Sequence, residues 1–338
     1  MLMANFSKTK TFKKPKNIFL LGSRDEHSIL KEWAENDIRN RFHLNGWFHD
    51  KNIPASTDEL IREYEEMAKN ESVDHFVLDP SDMDPAMLKA SINWAESQGS
   101  RIHLIQSGTA RLSNKLDKIN RFGPFAAVLL RQEPLSLKRN QIFKKAFDVI
   151  MSSIVVFGIL WWLYPLIGLL IKLTSKGPVI IRQNRIGIDG TQFKCMKFRT
   201  MVSDISAEKG LSYLTSKDDS RITWIGKVLR KTNLDEFPQF LNVLMGDMSI
   251  IGPRPLPIKE DHEVRQKLKR YPLRQFIKPG VTGYAATNGY RGSTPDMELM
   301  QKRVDLDIWY IENWSFGLDL KICLITIWQM LTFSTGAR

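Results

Sequence analysis

Two adjacent carboxylates stand just before a short predicted helix in the second half of the chain. Asp235 and Glu236 precede residues 238–244, whose pattern predicts that helix. One interpretation is structural: Asn233 or Asp235 caps the helix, and the acids complement its dipole. The other is chemical, because an ionised aspartate beside a phosphate-binding helix terminus can attack phosphorus and form an acyl phosphate. Its neighbour could then hold a divalent cation.

Arginines of the same half are the matching candidates for binding phosphate. Arg254 lies between two prolines that fix the backbone around it, and Arg199 lies in a second polar segment, residues 197–201. Arginine binds phosphate through two parallel hydrogen bonds, and positioning with charge neutralisation is most of what phosphoryl transfer requires. We interpret most of the other basic residues as solvated surface.

Composition limits the classes of protein that can hold these residues. The chain has 338 residues, which suggests two domains. Its net charge of +12 lies in residues 136–338, so phosphates or an anionic membrane surface are the expected partners of that half. The two cysteines are far apart, which excludes a disulfide scaffold and a structural zinc site. No nucleic-acid partner is expected, since a long apolar run would then have no purpose.

The first part of the chain alternates between predicted strands and helices after a basic arm, residues 1–16. The alternation predicts a parallel sheet with helices on its faces, a Rossmann-like α/β module over residues 17–131. One glycine, Gly22, stands where a dinucleotide fingerprint needs three, so we interpret the module as structural or regulatory. The predicted strands are residues 17–22, 44–48, 73–78 and 101–105, and the predicted helices are residues 28–38, 57–69 and 86–97.

A basic, amphipathic lead-in, residues 132–148, precedes the longest apolar run, residues 149–171. A straight helix over this run would reach about 35 Å, long enough to span a bilayer. Basic residues flank both ends, which gives the positive-inside rule no preferred orientation, and Pro165 kinks the helix. A re-entrant hairpin that enters and leaves one leaflet fits these features, and so does a proline-kinked spanning helix.

A second apolar segment, residues 322–333, is predicted to form a helix too short to span a bilayer. Its polar residues Thr326, Gln329 and Thr332 recur every three positions and mark one face. The helix either lies in the membrane interface or packs on the rest of its domain.

Residues from about 138 to the end resemble the bacterial sugar transferase family, the monotopic phosphoglycosyl transferases. The match is specific because many short motifs occur in order. They are Phe147-Asp148, the proline-broken apolar segment, Ser175 to Val179, Gln183, Arg185 with Gly187, Lys197 to Met201, Leu234 to Glu236, Asn242 to Leu244, Gly246 to Ser249, Gly252 to Pro255, and Asp307 with Trp309 and Tyr310. The α/β module looks like the soluble module of larger polyprenyl glycosylphosphotransferases.

The resemblance implies a transfer in two steps. An aspartate that matches Asp235 attacks the β-phosphate of a UDP-sugar and releases UMP, and polyprenyl (undecaprenyl) phosphate then attacks the phosphosugar on the enzyme. Glu236 matches the Mg²⁺-binding member of the acidic pair. The apolar segment is implied to be re-entrant, with its break at Pro165. The matching phosphate or substrate contacts are Lys197, Arg199, Arg254 and Arg291.

The chain departs from compact members of this family at two places. Tyr164 precedes the breaking proline where they have serine, so the stabilisation of the bend needs another explanation. Asn288-Gly289-Tyr290-Arg291 stands where they have Asn-Gly-Arg, as in longer members.

The sequence thus predicts a monotopic enzyme at the cytoplasmic face of the inner membrane, bound to membrane lipid, that initiates an exopolysaccharide, capsule, O-antigen or other glycan. Its mainly α catalytic domain covers residues 172–338, and both soluble parts are expected in the cytoplasm. Two alternatives stay open: an inactive membrane-anchored sensor or scaffold, and a glycosyltransferase that releases UDP. The sequence does not specify the sugar, and it leaves the oligomeric state open, a homo-oligomer included.

Overall fold

The computed structural model describes residues 15–36, 41–48, 54, 56–69, 71–81, 83–105, 121–131, 133–202, 219–291 and 296–332. The chain forms two compact units, Met1–Gln132 and Glu133–Arg338. The predicted basic arm falls almost wholly outside the described residues.

The N-terminal unit is an α/β layer structure. Its strands, in the described part of the unit, are β1 (Lys16–Leu21), β2 (Phe42–Phe48), β3 (His75–Leu78), β4 (Arg101–Ile105), β5 (Arg121–Phe122) and β6 (Phe125–Leu129). They lie in the order β2-β1-β3-β4-β6-β5, with the first four parallel and β6 antiparallel to both of its neighbours. Helical crossovers join the parallel strands. They are α1 (Arg24–Glu35), α2 (Thr57–Met67) and α3 (Pro85–Gln98).

Two buried clusters hold helices to this sheet. Leu30 of α1 packs with Ile18 and Val77 in one cluster. Residues of α2 and α3, among them Tyr64 and Trp94, form the other. Because alternate residues of β1 and β3 join different clusters, α1 covers one face and the other two helices cover the opposite face. The predicted sheet with helices on both faces is therefore present.

The start of α1 differs from the prediction by four residues. The Ser23 hydroxyl accepts a hydrogen bond from the Glu26 amide at 3.3 Å, and the Glu26 carboxylate accepts one from the Ser23 amide at 2.9 Å. This capping box starts the helix at Arg24 instead of residue 28. The antiparallel strands β5 and β6 were not predicted.

The C-terminal unit is mainly helical, as predicted. Its helices are α4 (Lys138–Val155), α5 (Trp161–Thr174), α6 (Trp224–Thr232), α7 (Gln239–Met245), α8 (Ile258–Lys267), α9 (Tyr284–Thr287), α10 (Met297–Glu312) and α11 (Phe316–Leu331). Its described strands are β7 (Ile180–Ile186), β8 (Gln192–Phe198), β9 (Ser249–Ile251) and β10 (Gly280–Thr282). The pair β7–β8 is antiparallel and the pair β9–β10 is parallel.

A π-helical turn, Val156–Leu160, joins α4 and α5 into one continuous helix. In the described part of the chain this helix alone is long and apolar enough to cross a membrane. Pro165 lies inside α5, so the backbone irregularity comes before the predicted break. The Trp162 indole N–H donates to the carbonyl of Gly158, a residue of the π-helical turn, at 2.9 Å.

The polar stripe of the last helix faces the protein. Thr326 hydrogen-bonds Thr282 at 2.8 Å, and the Gln329 amide donates to the Thr287 carbonyl at 3.0 Å. Trp328 on the outer side is 66% exposed. Helix α11 starts at Phe316, earlier than predicted, because Ser315 caps it by accepting from the Leu318 amide. The helix therefore packs on its own unit through polar groups and leaves an apolar face uncovered.

Replacing Gly280 with alanine should destabilise the C-terminal unit by about 3 kcal/mol. A Cβ at this position would lie 2.1 Å from the Gly252 amide nitrogen, and neither backbone can give way without breaking the β9–β10 pairing. Thermal unfolding in detergent measures the loss. Gly317→Ala is the matched control, because no atom lies within 4 Å of its added Cβ, and its midpoint should stay unchanged or rise slightly. Equal midpoints for the two variants would contradict the prediction.

Candidate active site

The acidic pair lies in a tight turn between two helices. Helix α6 ends at Thr232, and Asn233 follows in the left-handed conformation with φ of 57°. A 3₁₀ turn, Leu234–Glu236, then carries both carboxylates before α7 begins. The residue at the N-terminal cap of α7 is Pro238, and no side chain caps that end. The interpretation that Asn233 or Asp235 caps this helix is therefore wrong.

Glu236 is the centre of a cluster of cations. Its Oε1 accepts from the Lys197 ammonium at 2.7 Å and from Arg254 Nη2 at 2.6 Å. Its Oε2 accepts from Arg254 Nη1 at 3.1 Å and from Arg291 Nη2 at 3.4 Å. The carboxylate is buried, and Arg254 holds it with both arms of its guanidinium. Both oxygens of Glu236 are thus fully engaged by positive groups.

The three cations come from distant parts of the C-terminal unit. Lys197 is the next-to-last residue of β8, Arg254 follows β9, and Arg291 follows α9. In sequence they lie 39, 18 and 55 residues from Glu236. Three of the four predicted phosphate contacts are therefore brought together by the fold.

Asp235 is in a different situation from its neighbour. It is half-buried, and among the residues that the structure describes its carboxylate accepts no hydrogen bond and makes no ion pair. The charges of Lys197, Arg254 and Arg230 still act on it. Asp235 therefore has free lone pairs beside a strongly positive cluster, which is what a nucleophile requires.

The two carboxyl groups have pKa values displaced in opposite directions. Burial raises the pKa of Asp235 to about 6, against the opposing charge of Lys197. Burial alone would also raise the pKa of Glu236, but the charges of Arg254 and Lys197 hold it well below its ordinary range. Since a more basic carboxylate is a better nucleophile, Asp235 suits attack and Glu236 suits permanent charge pairing.

Arg199 and Arg230 donate hydrogen bonds to groups other than Glu236. The Arg199 guanidinium is buried and donates to the Ser175 carbonyl at 2.7 Å, so it touches the residue that ends α5. Arg230 was not predicted, although it lies five residues before Asp235 on α6. Its Nε donates to the Thr200 hydroxyl at 3.0 Å. The sequence signal that could have identified Arg230 is its place on an amphipathic helix directly before the acidic pair.

A resident Mg²⁺ at Glu236 does not fit the residues present. A metal ligand needs a free oxygen lone pair, and both Glu236 oxygens are bonded to cations that would repel a divalent ion. The described residues contain no group of three or more His, Cys, Asp or Glu side chains that could hold a metal ion.

In the described part of the chain, a buried carboxylate that binds three cations lies in the same unit as one long apolar helix. The model of the bacterial sugar transferase family matches residues 139–333, more than half of the chain. The chain belongs to the bacterial sugar transferase family.

Curated relatives of the chain are sugar-phosphate transferases by name. A UDP-glucose:undecaprenyl-phosphate glucose-1-phosphate transferase of Klebsiella pneumoniae is 45% identical over 190 residues, which cover 56% of this chain and 40% of that protein. The protein of the same name from Escherichia coli (strain K12) is 41% identical over 218 residues, 64% of this chain and 46% of its own. A UDP-N-acetylgalactosamine-undecaprenyl-phosphate N-acetylgalactosaminephosphotransferase of Aeromonas hydrophila is 37% identical, over 58% of this chain and 45% of its own. The chain spans less than half the length of each.

Proposed function

We propose that this protein is a phosphoglycosyl transferase that moves a sugar 1-phosphate from a UDP-sugar to polyprenyl phosphate. One observation carries the proposal: Asp235, whose carboxylate accepts no hydrogen bond from the described residues, stands next to a second carboxylate that binds three cations. Such a pair offers a nucleophile and a phosphate-binding site in one turn of backbone. The names of the relatives supply the substrate class.

In the first step an Asp235 carboxylate oxygen attacks the β-phosphorus of the donor. The bond from that phosphorus to the bridging oxygen breaks, UMP leaves with the electron pair, and an aspartyl phosphosugar forms. In the second step a phosphate oxygen of polyprenyl phosphate attacks the same phosphorus. The Asp235 carboxylate is regenerated, and a polyprenyl diphosphate sugar is released.

The charges of the cluster match this chemistry. Lys197, Arg254 and Arg291 carry three positive charges, and Asp235 with Glu236 carries two negative ones. The site is therefore positive before Arg230 is counted, and it attracts a donor diphosphate that carries about two negative charges. During transfer, negative charge shifts towards the leaving oxygen, and arginines that are already oriented stabilise it without reorganisation.

The acceptor requires the site to lie at a membrane, and the apolar surface of the unit supports this placement. Side chains along α4, the π turn and α5 are largely exposed, among them Phe157, Trp161 and Leu173. We propose that the helix is re-entrant, with both units on the cytoplasmic side of the inner membrane and the apolar face of α11 in the interface. Thiol labelling at cysteines introduced near residues 140 and 176 should reach both from one side. Opposite accessibility would indicate a spanning helix.

The N-terminal unit is proposed to be a Rossmann-like module with a structural or regulatory role. Its strand order starts from four parallel strands with helical crossovers, and Ser23 and Glu26 form a capping box at the start of its first helix.

That the activity depends on Mg²⁺ stays a prediction from the resemblance. Measuring the activity after chelation with EDTA would test it.

The test of the proposed function is the nucleotide that the protein releases. Purified protein is incubated with polyprenyl phosphate, Mg²⁺ and a panel of UDP-sugars, and the products are separated. Release of UMP together with a polyprenyl diphosphate sugar supports the proposal. Release of UDP would indicate a glycosyltransferase, and no product across the panel would favour a scaffold.

The first half-reaction should lose rate as the pH falls below about 6. The pKa of Asp235 is about 6, and only the ionised carboxylate can attack, so each further pH unit should lower the rate about tenfold. Single-turnover UMP release without polyprenyl phosphate measures this limb, since the acceptor's own titration is then absent. A rate that stays flat from pH 7 to pH 5 would contradict the assignment of that pKa to the nucleophile.

A further inference from the structure

The backbone of the Pro253-Arg254-Pro255 segment is held at three successive carbonyls. The Pro253 carbonyl accepts from the Gly280 amide at 3.0 Å. The Arg254 carbonyl accepts from the Arg274 guanidinium at 3.0 Å. The Pro255 carbonyl accepts from the Arg185 guanidinium in a very short contact. Each peptide around Arg254 is therefore fixed by a donor from a different element.

The two guanidiniums that hold these carbonyls are buried and belong to different elements. Arg274 lies in a 3₁₀ turn, Tyr271–Phe276, and pairs with Asp307 of α10, whose Oδ2 accepts from its Nε at 2.7 Å. Arg185 lies on β7 and donates its other arm to Gln183 at 2.8 Å. Among the described residues no carboxylate lies within ion-pair distance of Arg185, and its Nε has no acceptor.

Burying Arg185 in this way costs free energy of folding, which is explained if the arginine holds a neighbouring group in place. A buried cation without a counter-ion loses its hydration, and a neutral donor could satisfy a carbonyl at lower free-energy cost. Arginine adds two things that a neutral donor does not: a rigid planar fork and a positive charge that interacts with the Glu236 carboxylate. Both are useful only if the location of Arg254 matters.

We propose that Arg185 and Arg274, the latter oriented by Asp307, are positioning residues that set the guanidinium of Arg254 on the donor diphosphate. The proposal rests on the proposed function and adds the groups that orient one of its phosphate contacts. The rings of Pro253 and Pro255 fix φ at those two residues. The two guanidiniums hold the carbonyls of Arg254 and Pro255, whose orientation the proline rings do not fix. Arg254, held in this way, makes a two-armed contact with Glu236.

A double-mutant cycle on ligand binding tests whether these residues act through Arg254. The variants are Arg185→Lys and Asp307→Asn, each made with Arg254 intact and in an Arg254→Lys background. The probe is UDP, titrated by calorimetry into the full-length protein in detergent. With Arg254 intact, each variant should weaken UDP binding about tenfold, because a small displacement of the fork breaks a two-armed contact. In the Arg254→Lys background the same changes should weaken it less than twofold.

The controls separate positioning from damage to the fold. Arg265→Lys, which removes a comparable arginine–glutamine contact on α8, should leave UDP binding unchanged in both backgrounds. Arg185→Lys keeps the charge, and Asp307→Asn keeps the shape of the partner of Arg274, so failure of one variant to fold leaves the other to decide. In the transfer assay both variants should raise the KM for the donor by a similar factor.

Three results would overturn the inference. They are equal weakening in both backgrounds, no weakening in either, and no binding of UDP by the wild-type protein. Its failure is distinguishable from failure of the proposed function. If the variants weaken UDP binding only when Arg254 is intact but the protein catalyses no transfer, only the proposed reaction is rejected. If the protein catalyses transfer but the variants weaken binding equally in both backgrounds, only the positioning role is rejected.

Discussion

Replacing Asp235 with asparagine should lower turnover by about 10⁴-fold or more while the protein stays folded. The amide cannot form an acyl phosphate, so the covalent step is lost and not merely slowed. The change should not destabilise the protein, because burial already disfavours the charged carboxylate and raises its pKa to about 6. The thermal midpoint of Asp235→Asn at pH 8 should equal or exceed that of the wild type. Steady-state UMP release and thermal unfolding measure the two effects.

Intact-mass spectrometry makes this prediction specific to the proposed intermediate. Wild-type protein quenched with donor, in the absence of lipid acceptor, should gain the mass of one phosphosugar, and Asp235→Asn should gain none. Asp305→Asn is the control, since Asp305 is a half-exposed partner of Arg270 outside the cluster. Wild-type activity in Asp235→Asn, or an adduct mapped to another side chain, would remove Asp235 as the nucleophile.

Replacing Glu236 with glutamine should reduce both stability and activity. The variant leaves Lys197, Arg254 and Arg291 without the carboxylate that they share, and removing one partner of a buried ion pair costs about 3 kcal/mol or more. The arginine forks also lose the group that aligns them, so we expect turnover to fall by about 100-fold. Thermal unfolding and UMP release measure these losses. Glu263→Gln, on an exposed face of α8, is the control.

The same variant should shift the acidic limb of the pH profile. The charge of Glu236 raises the pKa of Asp235, and Lys197 and Arg254 lower it. Glu236→Gln removes the charge that raises the pKa of Asp235 and frees the cations that lower it. The acidic limb of the pH profile should therefore move below pH 6. If Glu236 instead acted mainly as a metal ligand, raising the Mg²⁺ concentration would restore activity. Recovery of that kind, with the limb still near pH 6, would contradict the anchoring role.

The two substitutions separate the alternatives that the sequence left open. In an inactive scaffold both carboxylates would be structural. The wild-type protein would then release no UMP, so Asp235→Asn could cause no loss of activity. In a glycosyltransferase that releases UDP, no phosphosugar would attach to the chain. The structure already removes the support for a capping role, because the residue at the start of α7 is Pro238 and no side chain caps it.

Local patterns were sufficient for most of the secondary structure. Strand β4 was predicted at its observed bounds, and α2 begins at Thr57, where Ser56 accepts from the Glu59 amide. Errors arose where a short-range signal was overlooked. The first helix was predicted to start at residue 28, although the spacing of Ser23 and Glu26 defines a capping box that starts it at Arg24. The π turn before Pro165 was not predicted either, since no residue type by itself specifies it.

The sequence by itself determined the chemical inventory: the acidic pair, the arginine between two prolines, the apolar run and the excess of positive charge. These features depend on residue type and on spacings of a few residues, which a linear pattern retains. Only the tertiary structure decided that Glu236 binds three cations, whereas Asp235 has no hydrogen-bond partner among the described residues. It also decided that two buried guanidiniums hold the backbone around Arg254. Such contacts join residues up to 70 positions apart, and side chains so distant meet only through the packing of whole elements, for which no local spacing rule exists.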